Sequence, residues 1–79
     1  MRHHNMTDEL LEKLAAIEHA QWADSTRYML SRLGYHTSTS NLTVKRWYRQ
    51  IATPYSELSD HEKEKDREWA RKVLEIVGE

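Results

Sequence analysis

Breaking residues are scarce in this chain, and they fall at what read as its joints: glycine only at positions 34 and 78, proline only at 54. The long stretches on either side of the middle contain no breaker, so two long helices are the first expectation. The first is predicted from Thr7 or Asp8 to Leu33. Leu10, Leu14 and Ile17 form one apolar stripe along it, and Leu11, Ala15, Trp22, Met29 and Leu33 a neighbouring one. Gly34 follows in the position of a C-terminal cap. Residues 35–41 are polar, small or β-branched without helical period and read as a loop.

A short third helix is expected after that loop. Val44, Trp47, Tyr48 and Ile51 recur at i, i+3, i+4 and i+7, the spacing of one apolar helix face. Thr43 is the expected cap, with Leu42 stapled onto Trp47. Thr53 precedes Pro54 and is driven toward extended geometry, which ends this helix near Ala52. Ser59 with Glu62 three residues on is a capping box, and Asp60 adds negative charge where the helix dipole favours it. The last helix starts there and runs to Val77, with Gly78 beyond. Its first half is almost wholly charged, so Trp69, Ala70, Val73, Leu74, Ile76 and Val77 are expected to anchor it. The predicted fold is mainly α: two long antiparallel helices with a short amphipathic helix and an extended loop between them. Residues 1–6 read as a disordered or tag-like start, and 7–79 as one domain.

Composition bounds what such a domain does. Seventy-nine residues leave no room for a separate catalytic domain. A chain this short buries only about 60% of its unfolded surface, so a homo-oligomer is a natural way to add burial. The absence of cysteine removes disulfides, thiol nucleophiles and cysteine metal sites. A formal net charge of −1 argues against nucleic acid as the partner. No apolar run approaches the roughly 20 residues that span a bilayer, so no membrane partner is expected and the expected compartment is the cytoplasm.

Two stretches carry a family resemblance. Ile17-Glu18-His19-Ala20-Gln21-Trp22 lies in the first helix, and Pro54-Tyr55-Ser56-Glu57-Leu58 is followed by Glu62-Lys63-Glu64-Lys65-Asp66-Arg67. Together they resemble the RyR domain, the repeat named after ryanodine receptors, over roughly Leu10 to Val77. That pattern has a His and Trp in its first helix, then Pro-Tyr-x-x-Leu and Glu-Lys-x-x-Asp-Arg opening its last. The stretch Trp47 to Leu58 looks more like stand-alone domains of bacteria and bacteriophages than like the receptor repeats. The receptors' Trp-Thr-Tyr-Gly segment is absent, since Ser31 to His36 keeps only Gly34 and Tyr35 of it. The resemblance implies interaction without catalysis and, for bacterial and phage members, recognition of nucleotide-derived signals.

Each candidate residue carries two readings. His19 and Trp22 share a helix face, where a flat base would stack and hydrogen-bond; alternatively His19 is a half-buried histidine with internal partners. Asp66 lies on the row of Trp69, Ala70 and Val73 and needs a partner, His19 or Arg46 being the candidates; a structural ion pair is the alternative. Arg46 and Arg49 flank Trp47 and Tyr48, so they either meet a phosphate or are solvated around a core indole. Tyr55 sits at the mouth of the last helix, where its hydroxyl joins an anion-attracting terminus or meets a backbone carbonyl. Lys63, Arg67 and Arg71 make a basic row that a phosphate would satisfy, unless Glu64 to Arg67 and Glu68 to Arg71 pairs already offset it.

No G-x-S-x-G elbow, Walker loop or H-E-x-x-H pair occurs. The expectation is therefore a non-enzymatic domain, with no cofactor and no metal, that binds a small anionic, nucleotide-like ligand. His19, Trp22, Arg46, Trp47, Arg49, Tyr55, Lys63 and Asp66 are its expected contacts. The rival expectation is a protein–protein interaction module that uses the same surface.

Overall fold

The computed structural model describes residues 3–78. It contains α1 (His3–Arg32), α2 (Leu42–Ala52), a single 3-10 turn (Tyr55–Glu57) and α3 (Asp60–Val77), with no strand among the described residues. The mainly α fold with two long helices and one short one is as expected. Helix α1 starts earlier than the predicted Thr7; Met1 and Arg2, also assigned to a tag-like start, lie outside the described residues. No helix is long and apolar enough to cross a membrane among these residues.

Gly34 adopts φ +83°, the left-handed conformation that glycine adopts without a Cβ penalty. The Tyr35 N–H donates to the Leu30 carbonyl and the Gly34 N–H to that of Ser31, at 3.0 and 3.2 Å. Those two bonds form a Schellman motif, which satisfies carbonyls left over at the end of α1 and turns the chain back. At the other end of the loop the cap differs from the expectation. The Asn41 side chain, not that of Thr43, accepts the Val44 N–H at 3.1 Å. Helix α2 therefore begins at Leu42, which is inside the helix and 79% exposed, so it staples nothing. Asparagine is among the strongest N-caps, and it starts the helix two residues earlier than threonine would.

Thr53 is extended, as its proline neighbour requires, and ends α2. Both halves of the Ser59–Glu62 capping box are present at the start of α3. Gly78 ends that helix in right-handed geometry, with its N–H on the Leu74 carbonyl at 2.8 Å, instead of reversing the chain as Gly34 does.

The core departs from the apolar stripes of the sequence. The buried row of α1 is Ala15, His19, Ala23, Thr26 and Leu30, two of them polar. Leu10, Ile17, Met29 and Leu33, bulkier and more apolar, are exposed. The reason is that α1 is the spine on which α2, the 3-10 turn and α3 all pack. Its inward row must admit close-packed neighbours, and the small residues Ala15, Ala23 and Thr26 permit that where leucines would hold the helices apart. Among the described residues, the two with no exposed surface, Ala15 and Ala70, are both alanines. Val44 of α2 and Leu58 before α3 complete the buried set. The tryptophans do not form an aromatic core: Trp22 and Trp47 are half-buried, and Trp69, expected as an anchor, is 59% exposed together with Ile76 and Val77.

Candidate functional site

Helices α2 and α3 pack on α1 more than on each other, and the space between them is a valley. It encloses about 900 Å3, within the size range of small-ligand sites. Its floor is one face of α1, formed by Glu18, His19, Gln21, Trp22 and Ser25. One wall is Arg46, Trp47 and Gln50 of α2, and the other is His61, Glu62, Lys65, Asp66 and Trp69 of α3, with Leu58 at the join. Glu62 links the walls. It accepts from Gln50 Nε2 at 2.8 Å and pairs with the Arg49 guanidinium, while its other oxygen accepts the Ser59 N–H of the capping box.

Hydrogen bonds from Gln50, Arg49 and Ser59 hold the Glu62 carboxyl down at about 2. The folded state thus prefers the ionised form. The stabilisation is complete above the ordinary carboxylate value and is lost as pH falls from about 4.5 through about 2. Solvent screening leaves it on the order of 1 kcal/mol. Glu62→Gln is therefore expected to unfold more readily than the parent chain at pH 7, with the two converging near pH 2 in urea titrations. A constant difference across that range would contradict this assignment.

His19 sits at the heart of the floor. Its Nε2–H donates to the Thr53 carbonyl at 2.8 Å, a contact that fixes the ring against the end of α2. A carbonyl only accepts, so Nε2 carries a proton, and Nδ1 faces Asp66 Oδ2 at 3.7 Å. That separation is too long for a direct hydrogen bond. The imidazole also stacks on Trp22, with centroids 5.9 Å apart and planes inclined by 24°. Of the two partners expected for Asp66, His19 and Arg46, the one found beside it is His19.

Asp66 itself is poorly satisfied. Among the described residues it accepts no hydrogen bond, and its side chain is only 16% exposed. Burial pushes its carboxyl above the ordinary aspartate value; His19 opposes the shift and the like charge of Glu18 adds to it. The sign is opposite to that of Glu62. The fold holds the protonated acid more tightly than the unfolded chain does, so ionisation of Asp66 works against folding as pH rises through the shifted value.

Five of the eight residues singled out in the sequence line this valley: His19, Trp22, Arg46, Trp47 and Asp66. Three do not. Arg49 is turned to Glu62. Lys63 lies over the Tyr55 ring, 5.4 Å from its centroid. Tyr55 Oη donates to Glu12 Oε1 at 2.9 Å rather than joining the N-terminus of α3. Arg67 Nε donates to the same carboxylate at 2.7 Å. Through that bond it holds Glu12 below the usual carboxylate range, while burial and the Glu12 bond push Tyr55 up to about 12. This Tyr55–Glu12–Arg67 lock joins α1 to α3 and the 3-10 turn between α2 and α3, and occupies the groups that an anion would have used. The basic row is otherwise self-paired: Arg67 and Arg71 both meet Glu64, at 3.6 and 2.6 Å, where Glu68 was the expected partner of Arg71.

Trp69, Lys65 and His61 were not singled out, although a signal existed. Positions 61, 62, 65, 66 and 69 share one face of α3, so choosing Asp66 selects the others by helical spacing. Trp69 was instead assigned to the core because it is the largest apolar side chain in a helix short of them. Among the described residues no three His, Asp or Glu side chains gather as a metal site. No protein-family model matches the chain, and comparisons with curated proteins and with solved structures find no match.

Proposed function

We propose that this chain is a non-enzymatic RyR-like domain that binds a small nucleotide-derived signalling molecule in the valley between α2 and α3. The observation that carries this reading is the composition of one open cavity: Trp22, Trp47 and Trp69 line it together with Arg46 and Lys65. Indoles stack on bases of any kind, and the two cations meet the phosphate. Glu18 on the floor and Asp66 in the α3 wall supply acceptors for base or ribose donors. Binding without turnover fits the state of His19, which is 7% exposed and whose Nε2 proton is held by Thr53. In the cytoplasm, or in a host's cytoplasm if the chain is phage-encoded, such a domain acts by sequestering its ligand or by altering its own contacts.

A thermal-shift series with linear and cyclic nucleotides tests this reading. Ligand that binds only the folded chain raises the midpoint by mass action, by about 2.7 kcal/mol of stabilisation at a hundredfold excess over Kd. No shift with any nucleotide at millimolar concentration would remove the proposal. A protein-interaction module is the second reading, favoured by the exposure of Ile76 at 72% and Val77 at 74% near the end of α3, and of Leu10 and Ile17 on α1. Concentration-dependent elution in size exclusion, with no nucleotide shift, is the result that supports it.

A further inference from the structure

We propose that the base accepted by this valley is guanine, recognised at its Watson–Crick edge by the Asp66 carboxylate. The inference rests on the nucleotide reading above and adds the identity of the base. An ionised carboxylate presents two acceptor oxygens and no donor. Its best complement is an edge with two parallel N–H donors, the same geometry that makes guanidinium–carboxylate pairs bidentate. Of the common bases only guanine offers this, from N1–H and N2–H2. Adenine and cytosine each present one amino group beside an acceptor, and uracil presents a single N–H between two carbonyls.

Asp66 is placed for that task, and the group it faces, His19 at 3.7 Å, lies beyond hydrogen-bond reach. It lines the valley, accepts no hydrogen bond from the described residues, and is mostly withdrawn from water. Of the charged or titratable groups that act on it, His19 has its other nitrogen tied to Thr53, and Glu18 adds a like charge that donates nothing. A half-buried carboxylate without protein donors is poorly compensated, and a ligand bringing two donors relieves it. Trp22 and Trp69 in the same lining supply ring faces for the base. A guanidinium ion carries the same two donors; Arg46 and Lys65 in the walls attract the phosphate of a nucleotide, whereas Glu18 of the same lining attracts a cation, so arginine amide is the competing ligand that the test includes.

The test uses the full chain and titrates GMP, IMP, AMP and arginine amide by tryptophan fluorescence, for the parent and for Asp66→Asn. The parent is expected to bind GMP roughly tenfold or more tightly than AMP, and IMP, which lacks the N2 amino group, more weakly than GMP. In Asp66→Asn the amide offers one donor and one acceptor, so the preference for GMP disappears. The thermal midpoint of that variant without ligand, at pH 7, stays at or above the parent's, since a desolvated charge has been removed. Equal binding of AMP and GMP by the parent overturns the guanine assignment and leaves the nucleotide reading standing. No nucleotide binding at all overturns both. Arginine amide binding in place of GMP, a GMP preference that survives in Asp66→Asn, or a variant that fails to fold also overturns the assignment. The last outcome would mark Asp66 as the structural partner of His19.

Discussion

Leu30→Ala is expected to lower the unfolding free energy by about 3 kcal/mol, and the thermal midpoint by roughly 15 °C. Among the described residues Leu30 is the one large side chain with almost no exposed surface, at 1%. It lies in the last turn of α1, and its carbonyl accepts the Tyr35 N–H of the Schellman motif. Truncation removes the burial of three carbons and leaves a cavity, and the two costs add. The rest of the buried set is small: three alanines, Val44 and Leu58, with His19 and Thr26 as its polar members. With so little other apolar volume enclosed, the loss is a large fraction of a small domain's stability. Leu33→Ala is the control. Leu33 is three residues on and 65% exposed, so its truncation should change stability by less than about 0.5 kcal/mol. Urea unfolding that gives equal losses for the two would show that the core of α1 runs along a different row.

The second large effect concerns the ligand. Trp69→Ala is expected to weaken nucleotide binding about tenfold or more while leaving the fold nearly unchanged, because stacking of a base on an aromatic ring is worth about 1–3 kcal/mol. Trp69 suits this measurement better than the other two indoles. Trp22 is stacked on His19 and Trp47 is half-buried, so truncating either disturbs packing as well as binding. Trp69 is 59% exposed, and the contact it makes within its own helix is with the Lys72 ammonium, 4.4 Å from the ring centroid. An exposed cation–π pair is worth about 0.5–1 kcal/mol, so the thermal midpoint should fall by only a few degrees. Unchanged affinity in Trp69→Ala would mean that the α3 wall takes no part in binding.

The legible parts of the fold were those dictated by backbone chemistry. Gly34, Pro54 and the Ser59–Glu62 pair each act on their immediate neighbours, and the helix ends they predict are close to those observed. The Asn41 cap was equally local, and choosing Thr43 overlooked the stronger capping residue two positions earlier. Less of the site could be read. His19, Trp22, Arg46, Trp47 and Asp66 converge because their helix faces do. Lys63 and Tyr55, by contrast, are drawn away by Glu12 and by each other, across a separation of 43 residues from Tyr55 to Glu12.

What the sequence decided by itself is therefore the number of helices and their joints, since each follows from φ restrictions, missing N–H groups and caps acting within a few residues. What only the tertiary structure decided is which face of α1 is inside and which charges are free. Apolar periodicity points to leucine stripes, but three elements sharing one spine require close approach, and that selects a row of alanines with a histidine and a threonine. The same sharing leaves α2 and α3 apart, which opens the valley. It also spends Arg49 and Arg67 on carboxylates of other elements, an outcome that depends on distances between residues far apart in the chain.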